Sequence, residues 1–241
     1  MNWLFEAEIW IGLLTLTALE IVLGIDNIVF ISILAGKLPN ERRSSARRWG
    51  LTLALVMRVL LLLSISWVMG LTQSLFSIGE FDLTGRGLIL IGGGLFLLAK
   101  GTREIHHRVE DTGGTTRPAA RSSFSGVLMQ IVLLDLVFSV DSVVTAVGMV
   151  NQVGVMIAAV VISILIMMIS AGTIASFIER HPTLKMLALS FLLLIGVNLT
   201  AEGLGFHIPK GYTYFAMGFS LLVELLNIKA QKRKTSIPIT A

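Results

Sequence analysis

The sequence contains no cysteine, and only 14% of its 241 residues are charged. Without thiols, neither a disulfide framework nor a thiolate metal site is possible, so any metal would have to be bound by oxygen or imidazole. Soluble domains carry about 25% charged residues. The shortage of charge, together with 54% hydrophobic residues, excludes an ordinary soluble domain and predicts an all-α integral membrane protein.

Basic residues are absent from the N-terminal segment, since no Lys or Arg precedes Lys37. A cleaved secretory signal would begin with a basic segment, so we expect the first apolar run to remain in the mature protein. Long uncharged runs are typical of membrane-spanning helices. Seven such runs predict seven spans, at residues 9–35, 50–72, 86–100, 125–150, 154–177, 185–203 and 211–228.

Lys and Arg are concentrated in alternate connections between these runs and in the C-terminal tail. The remaining connections carry only Arg86 and Lys210. By the positive-inside rule, the N-terminus is predicted outside and the C-terminus in the cytoplasm. The formal net charge of +4 therefore reflects topology, and we expect a lipid bilayer rather than nucleic acid as the partner. The sequence leaves the oligomeric state open.

An internal repeat relates the first and fourth runs. Glu20-Ile-Val-Leu-Gly-Ile-Asp26-Asn27 recurs as Asp135-Leu-Val-Phe-Ser-Val-Asp141-Ser142. The second copy lies three spans after the first, so their orientations are opposite, and such inverted repeats often place a substrate site near mid-membrane. We predict a first three-helix repeat at 1–101, a cytoplasmic linker at 102–123, a second inverted repeat at 124–204, a seventh transmembrane helix at 205–228 and a basic cytoplasmic tail at 229–241.

The four acids of the repeat lie within about 6 Å of the predicted midplane. Burying them there would cost around 10 kcal/mol of insertion free energy. A packing role alone does not explain why such acids recur in both halves of the sequence. An all-oxygen set suits Mg²⁺, Ca²⁺ or Mn²⁺. The predicted metal ligands are Glu20, Asp26, Asn27, Asp135, Asp141 and Ser142.

Neighbouring features admit more than one interpretation. The acids would serve only packing if they were hydrogen-bonded to Ser, Thr or Arg58 on adjacent helices. Arg58 either balances the acids or pairs elsewhere, whereas Lys100 and Glu202 are interpreted as interfacial charges without a function. Because Gly24 precedes a turn-like Asp-Asn pair, we expect the first span to be interrupted there and to expose backbone carbonyls.

The two acidic motifs, with the closing segment Lys210-Gly-Tyr-Thr-Tyr-Phe-Ala-Met-Gly-Phe-Ser, resemble the TerC family of integral membrane proteins. The resemblance is strongest to short bacterial inner-membrane members without a soluble domain. The family is named for an association with tellurium resistance, is grouped with the LysE-type exporters, and has several members implicated in manganese export. The resemblance implies that the six predicted ligands line an ion site.

We therefore expect a secondary transporter that exports a divalent cation, with manganese as its substrate, no tightly bound cofactor and no enzymatic activity. Clustered buried carboxyl groups tend to hold protons, and metal binding releases them, so proton coupling is predicted. One alternative is a membrane scaffold without transport. Another is an intramembrane aspartyl protease that uses Asp26 and Asp141, although the Gly-x-Gly-Asp pattern of such enzymes is missing.

Overall fold

The computed structural model describes residues 7–78, 81–110, 123–150 and 152–235. The helices in these ranges are α1 (Ala7–Ala35), α2 (Asn40–Leu63), α3 (Ile65–Gly70), α4 (Gly85–Glu110), α5 (Phe124–Met149), α6 (Val153–Arg180), α7 (Pro182–Gly203) and α8 (Lys210–Thr235). The predicted all-α class is confirmed, with one addition. A short antiparallel hairpin of β1 (Ser74–Ile78) and β2 (Phe81–Thr84) follows α3.

Four helices of the described chain, α1, α5, α6 and α7, are long and apolar enough to cross a membrane by themselves. Helices α2, α4 and α8 have 24, 26 and 26 residues. At 1.5 Å per residue each reaches more than about 35 Å, but each also carries charged residues within its length. These three complete the predicted set of seven spans, and their crossing of the membrane stays a prediction.

The helix boundaries follow local signals. The hydroxyl of Ser123 accepts a hydrogen bond from the backbone N–H of Gly126 at 3.0 Å and caps the start of α5. Pro182 stands in the first turn of α7, where its missing N–H costs nothing. Helix α4 continues to Glu110, so the predicted linker at 102–123 begins as helix. Its residues 111–122 lie outside the described ranges.

The expected interruption of the first span is wrong, because α1 is helical without a break from Ala7 to Ala35. Gly24 has a packing role instead. A side chain there would collide with Met167 of α6, so the glycine lets α6 approach α1 closely. The backbone carbonyl groups of this segment accept hydrogen bonds within the helix, so they are not available as ion ligands.

Helix α1 packs mainly on α6, α2 packs mainly on α5, and α4 packs on α7. An inverted repeat that exchanges α1, α2 and α4 with α5, α6 and α7 would produce this pattern. Large apolar side chains face outward on several helices, among them Ile169 and Phe215, as expected for surfaces in contact with lipid. The interior formed by α1, α2, α5 and α6 holds the buried charges.

Candidate cation site

Arg58 of α2 joins the first acids of the two repeat motifs. Only 2% of its surface is exposed. Its Nη1 donates to the carboxylate of Glu20, and its Nη2 donates to Oδ1 of Asp135 at 3.0 Å. The hydroxyl of Ser139 donates to the other oxygen of Asp135, also at 3.0 Å. A buried arginine requires such partners, so the interpretation that Arg58 balances the acids is confirmed.

Asp141, the second acid of the α5 motif, lies in a separate cluster of charges. Nη2 of Arg86 donates to its Oδ1 at 2.5 Å, and Nζ of Lys210 donates to its Oδ2 at 2.5 Å. The same guanidinium nitrogen of Arg86 donates to Oε1 of Glu202 at 2.6 Å. We call Asp141, Arg86, Lys210 and Glu202 the Asp141 cluster. It joins α5 to the start of α4, the end of α7 and the start of α8.

A cavity of about 80 Å³ lies beside both sets of charges. Three predicted ligands, Asn27, Asp141 and Ser142, line it together with Arg58. Asn27 and Ser142 are buried, and each is next to the second acid of its motif in the sequence. Glu20 and Asp135 are held by Arg58 and do not line this cavity.

The backbone of Asp26 belongs to α1, but its side chain lies outside the described residues. Among the described side chains, no group of three or more His, Asp or Glu residues is placed to bind one metal ion. The acids are paired with cations instead: Glu20 and Asp135 with Arg58, and Asp141 and Glu202 with Arg86.

Sequence reasoning missed the importance of Arg86, Lys210 and Glu202. It used Arg86 and Lys210 only to orient the chain and treated Glu202 as an interfacial charge. The sequence did contain one signal. Arg86 and Lys210 are the only basic residues on the connections that otherwise lack Lys and Arg. A Lys or Arg on the side of the membrane that the positive-inside rule disfavours is a candidate partner for a buried acid.

A second cavity, of about 120 Å³, lies farther along α1, toward its C-terminal end. Its lining includes Ser32, Lys37 and Arg43. Two ion pairs lie at its edge. Lys37 pairs with Glu104, and Nη1 of Arg43 pairs with Oε1 of Glu179 at 3.5 Å. These pairs link the turn after α1 to α4, and α2 to α6. Cavities that include polar side chains in their lining therefore lie at two different levels of the bundle.

A bundle of long apolar helices with paired charges buried between them defines an integral membrane protein. The chain belongs to the integral membrane protein TerC family, whose family model matches residues 5–236.

Several curated relatives are similar over nearly the whole chain. A UPF0053 protein of Haemophilus influenzae is 51% identical over 239 residues, which cover 96% of this chain and 98% of the relative. The UPF0053 inner membrane protein YgdQ of Escherichia coli is 52% identical, covering 96% of this chain and 97% of the relative. The inner membrane protein YoaE of Escherichia coli is 50% identical over all of this chain, which spans only 48% of YoaE. No solved structure matches the chain.

Proposed function

We propose that this protein is a secondary transporter that exports a divalent metal cation across the bacterial inner membrane. The observation that carries the proposal is the cavity where Asn27, Asp141 and Ser142 meet inside a bundle of apolar helices. An amide, a carboxylate and a hydroxyl offer only oxygen ligands, which suit Mg²⁺, Ca²⁺ and Mn²⁺. Ionisable residues inside a membrane mark ion pathways by default, because their burial is costly.

Manganese is the substrate that we propose within this group. The ligand set accepts Mn²⁺, and several members of the TerC family are implicated in manganese export. The cavity volume of about 80 Å³ exceeds the roughly 10–15 Å³ that one water molecule needs. A bound ion would therefore keep part of its hydration shell, while Asp141, Asn27 and Ser142 replace the rest.

The two cavities support alternating access. Asn27 lines one cavity and Ser32 lines the other, and the five-residue step between them along α1 corresponds to about 8 Å. Buried Ile28 and Ile31 occupy the intervening turn. An ion would pass from the polar side chains of one cavity to those of the other across a short apolar layer, as expected for a carrier that opens to one side at a time.

Protons are the coupling ion in this proposal. The charged side chains of the two clusters carry a formal net charge of −1, from Glu20, Asp135, Asp141 and Glu202 against Arg58, Arg86 and Lys210. A divalent cation that enters this nearly balanced region adds two positive charges in a poorly hydrated place. In this proposal an acid outside that count, Asp26, holds a proton in the empty site and releases it when the metal binds, so metal export is paired with proton entry.

Flux in proteoliposomes tests the proposal. Purified wild-type protein should carry Mn²⁺, and an imposed pH gradient should accelerate the flux. Asp141→Asn should abolish the flux while protein yield and membrane insertion persist, because the carboxylate ligand is lost and the fold is not. Asp26→Asn should have the same effect, since Asp26 is the equivalent acid of the first motif.

Glu41→Gln is the matched control, since Glu41 is an exposed acid in the first turn of α2. Glu104 and Glu179 are less suitable controls because both take part in ion pairs. Indifference of the flux to the pH gradient would contradict proton coupling alone. Wild-type flux in both Asn variants would exclude these acids from the mechanism, and folded wild-type protein without any flux would favour a scaffold.

A further inference from the structure

Both oxygens of the Asp141 carboxylate are engaged by cations that belong to the chain itself. Arg86 holds one oxygen and Lys210 holds the other. A metal ion that binds through Asp141 needs at least one of these oxygens. A metal ion at either oxygen would lie close to a positive charge of the chain, so it competes electrostatically with Arg86 and Lys210 for the carboxylate.

The two cations are placed where they can move. Arg86 is in the first turn of α4 and Lys210 is the first residue of α8. Their side chains are 22% and 32% exposed, whereas that of Arg58 is only 2% exposed. A lysine on a flexible four-carbon stem can exchange a carboxylate for water at low cost. Arg58, by contrast, is held between two buried carboxylates.

We propose that Arg86 and Lys210 are tethered competitors that displace the transported cation from Asp141 and so promote its release at this end of the bundle. The inference rests on the proposed function and adds to it the step that ejects the ion. Together the two side chains carry the same charge as one divalent cation. Their return to Asp141 and Glu202 restores the ion pairs of the cluster when the metal departs.

The first test measures Mn²⁺ affinity with the purified full-length protein in detergent, using titration calorimetry. Lys210→Met and Arg86→Met should each bind Mn²⁺ roughly tenfold to hundredfold more tightly than wild type, since hydrogen bonds to charged groups have energies of that order. In proteoliposomes the same variants should release Mn²⁺ more slowly. Lys210→Arg keeps the charge and should bind as wild type does.

Lys229→Met is the matched control, because Lys229 lies on the same helix and is exposed. It is 19 residues from Lys210, or roughly 28 Å along the helix axis. This variant should leave both affinity and release unchanged. If it also raised the affinity, loss of net positive charge would explain the result and the inference would be wrong.

The absence of native cysteine permits a rescue within one protein sample. Lys210→Cys should bind Mn²⁺ as tightly as Lys210→Met. Reaction with 2-aminoethyl methanethiosulfonate restores an ammonium group at this position and should return the affinity to the wild-type value. Reaction with methyl methanethiosulfonate adds a neutral group of smaller size and should leave the affinity high.

The outcomes separate the inference from the function on which it rests. If wild type binds and transports Mn²⁺ but folded Lys210→Met and Arg86→Met bind it no more tightly, the inference is overturned and the proposed function stands. If neither wild type nor any variant binds Mn²⁺, both are overturned. Tighter binding with slower release, reversed by the ammonium adduct alone, supports the inference.

Discussion

Gly94 of α4 and Gly196 of α7 face each other across the contact between these two helices. A Cβ atom on Gly94 would lie 2.6 Å from the carbonyl oxygen of Gly196, and a Cβ atom on Gly196 would lie 3.0 Å from the carbonyl oxygen of Gly94. The two glycines begin similar segments of the third and sixth spans, since Ala99-Lys100-Gly101 follows Gly94 at the same spacing as Ala201-Glu202-Gly203 follows Gly196. A contact between equivalent residues is expected where a two-fold axis relates two units.

Gly94→Ala should destabilise the protein, because its methyl group has no space between the two backbones. Overpacking of this kind costs about 1–3 kcal/mol. Gly92→Ala, two residues away on the same helix, is the control, since nothing lies within 4 Å of its Cβ position. Thermal unfolding in detergent should show a lower midpoint for Gly94→Ala only. Equal midpoints would contradict the close contact of α4 with α7.

Arg58→Met should be among the most damaging single substitutions in this chain. It leaves the carboxylates of Glu20 and Asp135 buried without a cation, and breaking a buried ion pair in this way costs about 3–5 kcal/mol. We expect a large loss of folded protein by size-exclusion chromatography and a lower midpoint of thermal unfolding.

Restoring charge balance tests the reason for that loss. Combining Arg58→Met with Glu20→Gln and Asp135→Asn removes all three charges and should recover much of the stability. Arg180→Met, at the exposed end of α6, should change stability by no more than about 0.5 kcal/mol. A triple variant as unstable as Arg58→Met would show that Arg58 matters for its shape and not for its charge.

The predicted orientation can be checked with single cysteines in this cysteine-free chain. Ser44 and Gln73 are both exposed, one in α2 and one in the connection before β1. An impermeant thiol reagent added to intact cells should label Gln73→Cys and spare Ser44→Cys, because the positive-inside rule places residue 44 in the cytoplasm. The reverse pattern would invert the orientation, and equal labelling would contradict the span count.

The acidic motifs were visible in the sequence, and Arg58 was one candidate partner for them, because each is a local anomaly. A charge within a long apolar run is visible without knowledge of the fold, and its burial implies a partner. The pairing of Lys210 with Asp141 was not predictable in the same way. These residues are 69 positions apart in the sequence. Their contact depends on where the start of α8 packs relative to α5.

Gly24 shows a different limit of sequence reasoning. A glycine near an Asp-Asn pair is typical of a turn, and the same glycine is equally suited to close helix packing. The thioether of Met167 on α6 decides between them, and nothing near Gly24 in the sequence indicates that residue. The packing role therefore becomes visible only when α1 and α6 are placed together.

The position of Arg58 also constrains how the chain is made. Its partner Glu20 precedes it by 38 residues, but Asp135 follows it by 77 residues. At about 5–20 residues per second, synthesis delivers Asp135 roughly 4–15 s after Arg58. A central arginine on a lone helix resists entry into lipid by roughly 2.5–3.5 kcal/mol. We therefore expect Glu20 to pair with Arg58 while α1 and α2 enter the bilayer, and Asp135 to join this pair when α5 follows.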